Sequence, residues 1–232
     1  MKSGELNKVM IPLAGRPMIA YALDLLKKID IQKILIVVGF AKESVKKFLG
    51  PQFLYIEQRK RLGTAHAVKC ALAKIPALFK ETLVLNGDDS AFYRSETLEN
   101  LIDKHREKGA AMTLLTIETK NPQGLGRILR NAKGEIAGIV EEKDASQNQQ
   151  KIKEVNPACY VFQRSFLKAY LSKVRKSPFS GEYYLTELVR LGVENGEKVE
   201  SLKIKDIAWR GINNWEELRQ AEKMMRRLQH GN

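Results

Sequence analysis

Short apolar runs rich in β-branched residues alternate with longer stretches of helical apolar spacing through much of this chain, and that alternation restricts the fold more than any other feature. A strand buried on both faces reads as a continuous apolar run, and parallel neighbours need a long crossover, normally a helix. Pro17 to Ile29 carries Met18, Ile19, Ala22, Leu25 and Leu26 near helical spacing, with Pro17 suited to a first turn. Lys33 to Val38 reads as a buried strand, Lys42 to Leu49 as a helix stopped by Gly50-Pro51, and Phe53 to Glu57 as a strand. Thr64 to Ala73 then predicts a helix, Leu83 to Leu85 the centre of a buried strand, Thr97 to Lys108 a helix and Ala111 to Ile117 a strand. The expected class is α/β with a parallel sheet.

The second half departs from that pattern. Gly124 and Gly126 flank Leu125 before Arg127 to Arg130, Asn131-Ala132-Lys133-Gly134 is a turn signal, and Ile136 to Val140 ends in Glu141-Glu142-Lys143-Asp144. This is a hairpin; taken alone, a ligand-facing hairpin and an ordinary edge hairpin with a solvated tip explain it equally well. Val155 to Phe162 predicts one more strand, Ser165 to Val174 and Thr186 to Val193 helices, Lys198 to Ile204 a late strand, and Asn214 to Leu228 an amphipathic helix with Trp215, Leu218, Ala221, Met225 and Leu228 on one side. An antiparallel addition to the parallel sheet follows. No repeat or linker divides the chain, so residues 1–232 read as one domain. Ligands of such sheets collect at the carboxyl ends of strands, which singles out Glu57-Gln58, Asn86 to Asp89, Glu141 to Asp144 and the turn near Asn156.

Composition narrows the function classes. The 232 residues, 44% hydrophobic, suffice for one full core. No apolar run is long enough for a bilayer and Met1 to Glu5 lacks a secretory apolar core, so the reading is a cytoplasmic protein with no membrane role. Cys70 and Cys159 sit in apolar segments, as buried thiols do in a reducing compartment, and His66, His105 and His230 lack metal-ligand spacing. The net charge of +13 favours anionic ligands, but it is spread over presumed helix faces such as Lys27-Lys28 and Arg226-Arg227, without a stacking platform or a basic reading helix. Phosphorylated metabolites fit better than nucleic acid.

Gln58 with Leu62-Gly63-Thr64-Ala65-His66-Ala67, Gly87-Asp88, Gly124-Leu125-Gly126-Arg127-Ile128, Val140 to Ala145, Gly181 to Thr186 and Gly211-Ile212-Asn213-Asn214 together resemble the sugar-phosphate nucleotidyltransferases, above all their N-acetylglucosamine-1-phosphate uridylyltransferase domains. The blocks stand in family order across almost the whole chain. Met1 is similar to the last residue of the family's opening signature, L-x-A-G-x-G-T-R-M, and Leu6 to Met10 to its lysine segment, with Asn7 where proline is usual. The resemblance implies a Rossmann-like three-layer fold with a mixed, mostly parallel sheet, an antiparallel hairpin lobe, and unpaired edges where the family's first strand runs. It also implies that this sequence carries neither the phosphate-cradling loop nor the acyltransferase repeats.

For function, the resemblance implies uridylyl transfer from UTP to a hexosamine 1-phosphate. Gln58, Gly63 and Thr64 would hold the nucleotide, although a simple helix N-cap also accounts for Gly63-Thr64. Gly126, Glu141, Asn156 and Thr186 would hold the sugar. Asp88 and Asn213 would hold Mg2+, an ion suited to hard oxygen ligands, while Lys8 and Asp88 act at the reacting phosphates. Departures from the family are Asp89-Ser90-Ala91 after Gly-Asp, Pro157 after Asn156, and Asn86 where close relatives carry tyrosine. Lys143 is a rim residue that either reaches phosphate or is simply solvated.

Overall fold

Ala14 and Gly15 both adopt positive φ, 48° and 81°, which turns the chain tightly between Pro12–Leu13 (β1) and Arg16–Pro17 (β2). In the computed structural model, which describes residues 6–204, 212 and 214–230 and side chains as far as 227, this ladder precedes Met18–Lys27 (α1). There follow Leu35–Val38 (β3), Lys42–Leu49 (α2), Leu54–Glu57 (β4), Thr64–Leu72 (α3), Glu81–Val84 (β5), Ser95–Lys108 (α4) and Met112–Glu118 (β6). The predicted alternation is present, shifted only at its boundaries. The hairpin strands are Gly126–Arg130 (β7) and Ile136–Val140 (β8), followed by Gln147–Gln150 (α5). The chain continues through Glu154–Asn156 (β9), Tyr160–Gln163 (β10), Arg164–Tyr170 (α6), Glu187–Glu194 (α7), Val199–Ile204 (β11) and Trp215–His230 (α8).

Among the described residues β3 and β4 form a parallel pair, and a seven-stranded sheet runs β5-β10-β6-β9-β7-β8 with β11 parallel to β6. The sheet is mixed as expected, but its hydrogen-bonded neighbours are more often antiparallel than the sequence suggested. β5, β6, β7 and β11 share one direction, and β10 and β9 run the other way between them.

The single strand predicted over Val155 to Phe162 is instead two. Pro157 has no N–H to give a ladder, Ala158 adopts φ 56°, and the Asn156 Oδ1 accepts from the Ala158 amide at 3.1 Å. Both halves still run beside β6, with Val155 opposite Ile117 and Tyr160 opposite Leu114. Their other neighbours differ: β9 pairs with β7 and β10 with β5. This break therefore joins the hairpin lobe to the main sheet. Bulges and breaks of this kind commonly re-aim a side chain beside a functional site, and the residue re-aimed here is Asn156.

Side chains of β6 alternate between two cores. Leu115 and Ile117 pack with Met18 and Leu25 of α1, Leu98 and Leu101 of α4, and Leu218, Ala221 and Met225 of α8. Met112 and Leu114 pack with Val68 of α3, Phe166 and Leu167 of α6, and Leu188 and Val189 of α7. Helices thus cover both faces, giving three layers. A third cluster joins Ile19 and Leu23 to Val38 and to Val45 and Leu49 of α2. Among the described residues β3 and β5 each have a strand neighbour on one side only, and a cavity of about 1050 Å3 lies between them, lined by Leu35 to Val38, Thr82 to Leu85 and apolar residues of α1, α3 and α4. No helix among the described residues is long and apolar enough to cross a membrane.

Candidate active site

Three groups of polar side chains follow the carboxyl ends of β4, β5 and β8. The first is built on Gln58, whose amide nitrogen donates to the Gly63 carbonyl at 2.9 Å and lies 3.0 Å from His66 Nδ1. With both amide hydrogens engaged, Gln58 offers a ligand its carbonyl oxygen. Gly63 has φ 102°, and a Cβ there would stand 2.5 Å from the Tyr183 carbonyl oxygen. The close approach that makes glycine necessary is therefore to the Tyr183 backbone. The Tyr183 amide donates to Leu62 O at 2.7 Å and the Ala65 amide donates to Tyr183 O at 2.9 Å. Thr64 does not cap its own helix with its side chain; its Oγ1 accepts from the Leu185 amide at 2.9 Å. Gly63 and Thr64 thus dock the 183–185 segment against α3, which carries the neighbouring Thr186 to the site.

The second group follows β5. Lys8 Nζ meets Asp88 Oδ2 at 2.5 Å, with both side chains partly exposed. Asn7 sets the lysine: its Oδ1 accepts from the Val9 amide at 3.2 Å, capping a short 3-10 turn, and its Nδ2 donates to Phe40 O at 2.7 Å. A proline at this position would make neither bond. Gly87 lies against Val9, where a Cβ would come within 3.3 Å of a valine methyl. Asp89 was noted in the sequence only as a departure from the family pattern. It is turned inward, and burial, then the adjacent Asp88 charge, holds its carboxyl well above the usual carboxylate range, opposed by the Asn86 amide and Lys8. Asn86 Nδ2 donates to Asp89 Oδ2 at 3.3 Å. Asn86 is thereby tied to the loop, and nothing in its sequence context signalled that role.

The third group joins residues separated by 60 positions. Gly126 stands opposite Asn156 in the β7–β9 ladder. A Cβ on Gly126 would lie 2.9 Å from an Ile139 methyl, 3.4 Å from Glu141 Oε2 and 3.7 Å from Asn156 Cβ. Thr186 Oγ1 donates to Glu141 Oε1 at 2.7 Å. Asn156 is buried and donates to the Tyr160 hydroxyl at 2.7 Å. The four residues assigned to the sugar therefore meet at one place. Burial raises the Glu141 carboxyl above its usual range and the Asp144 charge adds to this, against the Thr186 hydrogen bond. Tyr160 was missed by sequence reasoning, because an apolar strand gives no sign that one hydroxyl orients an asparagine. Burial pushes this phenol far above its ordinary range, so it stays a neutral hydrogen-bonding group.

The groups are neighbours: Tyr160 of β10 stands opposite Val84 of β5, and the Tyr93 hydroxyl donates to Pro157 O at 3.1 Å. Asn213, the other expected metal ligand, lies outside the described residues. Among those described there is no cluster of three or more His, Cys, Asp or Glu able to hold a metal. The partly exposed Asp88 carboxylate nonetheless suits Mg2+, which takes one or two carboxylates beside phosphate oxygens and keeps several waters.

The matches to known proteins agree with this geometry. Residues 3–227 match the family model described as nucleotidyl transferase. The bifunctional protein GlmU of Geobacillus thermodenitrificans is 39% identical over 227 residues, covering 97% of this chain and 49% of that protein. The chain thus spans about half the length of the curated relatives it matches. An apo UDP-glucose pyrophosphorylase structure superposes with TM-score 0.81 at 16% identity, covering 97% of this chain and 92% of that one. A putative glucose-1-phosphate thymidylyltransferase from Bacillus anthracis, solved in complex with a sucrose, gives TM-score 0.80 at 20% identity, covering 97% and 88%. A mixed three-layer fold, polar groups gathered at strand ends, and a family match over nearly the whole sequence place this chain in the nucleotidyl transferase family.

Proposed function

We propose that the chain transfers UMP from UTP to N-acetylglucosamine 1-phosphate, giving UDP-N-acetylglucosamine and pyrophosphate. The observation that carries this reading is the meeting of Gly126, Glu141, Asn156 and Thr186 at one place, with Thr186 hydrogen-bonded to Glu141 and Gly126 paired with Asn156 beside it. Glu141 accepts hydroxyl hydrogen bonds, and the Asn156 amide, already oriented by Tyr160 and the Ala158 amide, keeps one donor and one acceptor direction for an acetamido group. Gln58 presents an oxygen to the base. Uracil has a ring N3–H to donate to it, whereas cytosine has an acceptor at that position, so this geometry favours UTP over CTP.

The reaction forms no covalent intermediate with the protein. A phosphate oxygen of the sugar 1-phosphate attacks the α-phosphorus of UTP in line, and the bond to pyrophosphate breaks. Positioning and charge neutralisation supply the rate. Lys8 clamps phosphate as a compact positive charge, turning to it from Asp88. Asp88 together with Asn213 would hold Mg2+, which would supply further neutralisation of phosphate charge. Purified protein with UTP, Mg2+ and N-acetylglucosamine 1-phosphate is expected to release pyrophosphate. Release only with glucose 1-phosphate, or only with dTTP, moves the assignment to a glucose-1-phosphate uridylyl- or thymidylyltransferase. Binding of UDP-sugar without any release, under every substrate pair, makes the chain a sugar-nucleotide binding protein.

A further inference from the structure

Arg127 is almost completely buried, the largest such side chain among the described residues. Its guanidinium meets Glu142 Oε2 at 2.5 Å, donates to the Leu125 carbonyl, and reaches Gln150 O at 3.4 Å. The same Glu142 oxygen accepts from the Gly124 amide at 3.2 Å. A single ion pair therefore grips the backbone of the 122–126 turn from below and from the side. Arg127 stands opposite Val140 in the β7–β8 ladder, so the paired strands lead directly into Gly126 on one side and Glu141 on the other.

We infer that Arg127 and Glu142 are positioning residues that fix the separation between Gly126 and Glu141, and so set the width of the hexose pocket; this rests on the sugar-phosphate reading above. A buried ion pair contributes little net stability compared with apolar residues of the same size, whereas it can specify one geometry. An apolar residue at 127 would fill the space but hold neither the Leu125 carbonyl nor, through Glu142, the Gly124 amide. Only the charged pair ties the glycine turn to the strand end that bears Glu141. The clamp touches no substrate itself.

The test uses Arg127→Met, which leaves the partly exposed Glu142 solvated, with Arg127→Lys as the conservative variant and Glu142→Gln approaching the pair from the other side. Hydrogen exchange in the free protein and calorimetric binding of UDP and of UDP-N-acetylglucosamine are measured. Arg127→Met is expected to speed exchange of the 123–126 amides but not of β6. Its UDP affinity should hold within about twofold while the preference for UDP-N-acetylglucosamine over UDP falls by about tenfold, with partial recovery in Arg127→Lys. Unchanged exchange at 123–126, an unchanged preference, or a parallel loss of UDP affinity each overturns the inference. If Arg127→Met does not fold, the same three readouts on Glu142→Gln decide. Wild-type protein that binds the sugar nucleotide no better than UDP overturns the hexose reading and the inference with it. That failure is visible before any substitution is made.

Discussion

Gly63→Ala separates two explanations of one glycine. Gly63 has φ 102° and ψ 177°, a region that only glycine occupies readily, which puts the backbone strain of an alanine at about 1–3 kcal/mol. The new methyl would also stand 2.5 Å from Tyr183 O and 2.8 Å from Tyr183 N, both backbone atoms held by hydrogen bonds to Leu62 and Ala65. Overpacking of that kind adds about 1–3 kcal/mol, so the sum is roughly 2–6 kcal/mol. At about 2–4 °C per kcal/mol for a domain of this size, the midpoint falls by about 4 °C at the least. Gly124→Ala is the internal comparison: φ is 79° there, yet nothing lies within 4 Å of the added methyl, so only the backbone part applies. Urea and thermal denaturation of both variants measure the difference. If Gly63→Ala is no less stable than Gly124→Ala but loses UTP affinity, the glycine serves the nucleotide and the docking argument is wrong.

Glu141→Gln removes the charge that accepts from Thr186 and, in the proposed reading, from sugar hydroxyls; charged hydrogen bonds of this kind are worth about 1.5–3 kcal/mol, so KM for the sugar phosphate should rise by about tenfold or more, with KM for UTP unchanged. Steady-state kinetics with each substrate varied checks the split, and equal rises in both would place Glu141 elsewhere. His105 is buried with Nδ1 2.9 Å from Thr113 Oγ1, and burial depresses its pKa below 6.5. The unfolded chain therefore takes up a proton before the folded one does, and the stability of His105 in its neutral form is lost as pH falls below about 6.5. Unfolding in urea at pH 7.5 and 5.5 should show a larger loss for wild type than for His105→Asn; equal losses would refute this. Glu154 is largely buried but accepts from Arg130 at 2.6 and 2.9 Å and from Thr116 at 2.6 Å, so its carboxyl lies below the usual range despite its burial. Its contribution is present above the unfolded carboxylate pKa and is lost as pH falls through the lower folded value. Glu154→Gln should lower stability at pH 7 by roughly 1.5–3 kcal/mol and flatten the acid limb of the stability profile.

The parts of the fold legible in the sequence were those set by local periodicity. β3, β4, β5 and β6 are apolar runs followed or preceded by helices of clear spacing, and each lies within a residue or two of its expected place. The break at 157–159 was not read as an interruption, because apart from Asn156-Pro157 the segment Val155 to Phe162 is apolar. The small ladder at 12–17 was missed for a different reason: Ala14 adopts positive φ where sequence rules expect glycine, asparagine or aspartate. In the site, residue types were legible and partners were not. Thr64 read as a nucleotide contact or a helix cap, and its hydroxyl accepts from the Leu185 amide, 121 positions away. Asp89 read only as a departure from the family pattern and is half-buried with one carboxylate oxygen enclosed, since burial of a carboxylate depends on what packs over it.

The strand break explains why the site has to be assembled from distant residues. A continuous strand from 155 to 162 would run beside β6 with one neighbour on its far side, and either the hairpin lobe or β5 would lose its place. Breaking it after Asn156 lets β9 carry β7 and β10 carry β5, so the ends of β5 and β8 reach a common point. The turn that makes the break takes one acceptor direction of the Asn156 amide through Ala158, and the Tyr160 hydroxyl takes one of its two donors. Backbone geometry and ligand-facing chemistry are thus set by the same three residues. A substitution that straightened this turn is expected to disturb sheet pairing together with the sugar recognition proposed for Asn156, whereas Tyr160→Phe should leave the pairing intact and affect that proposed recognition alone.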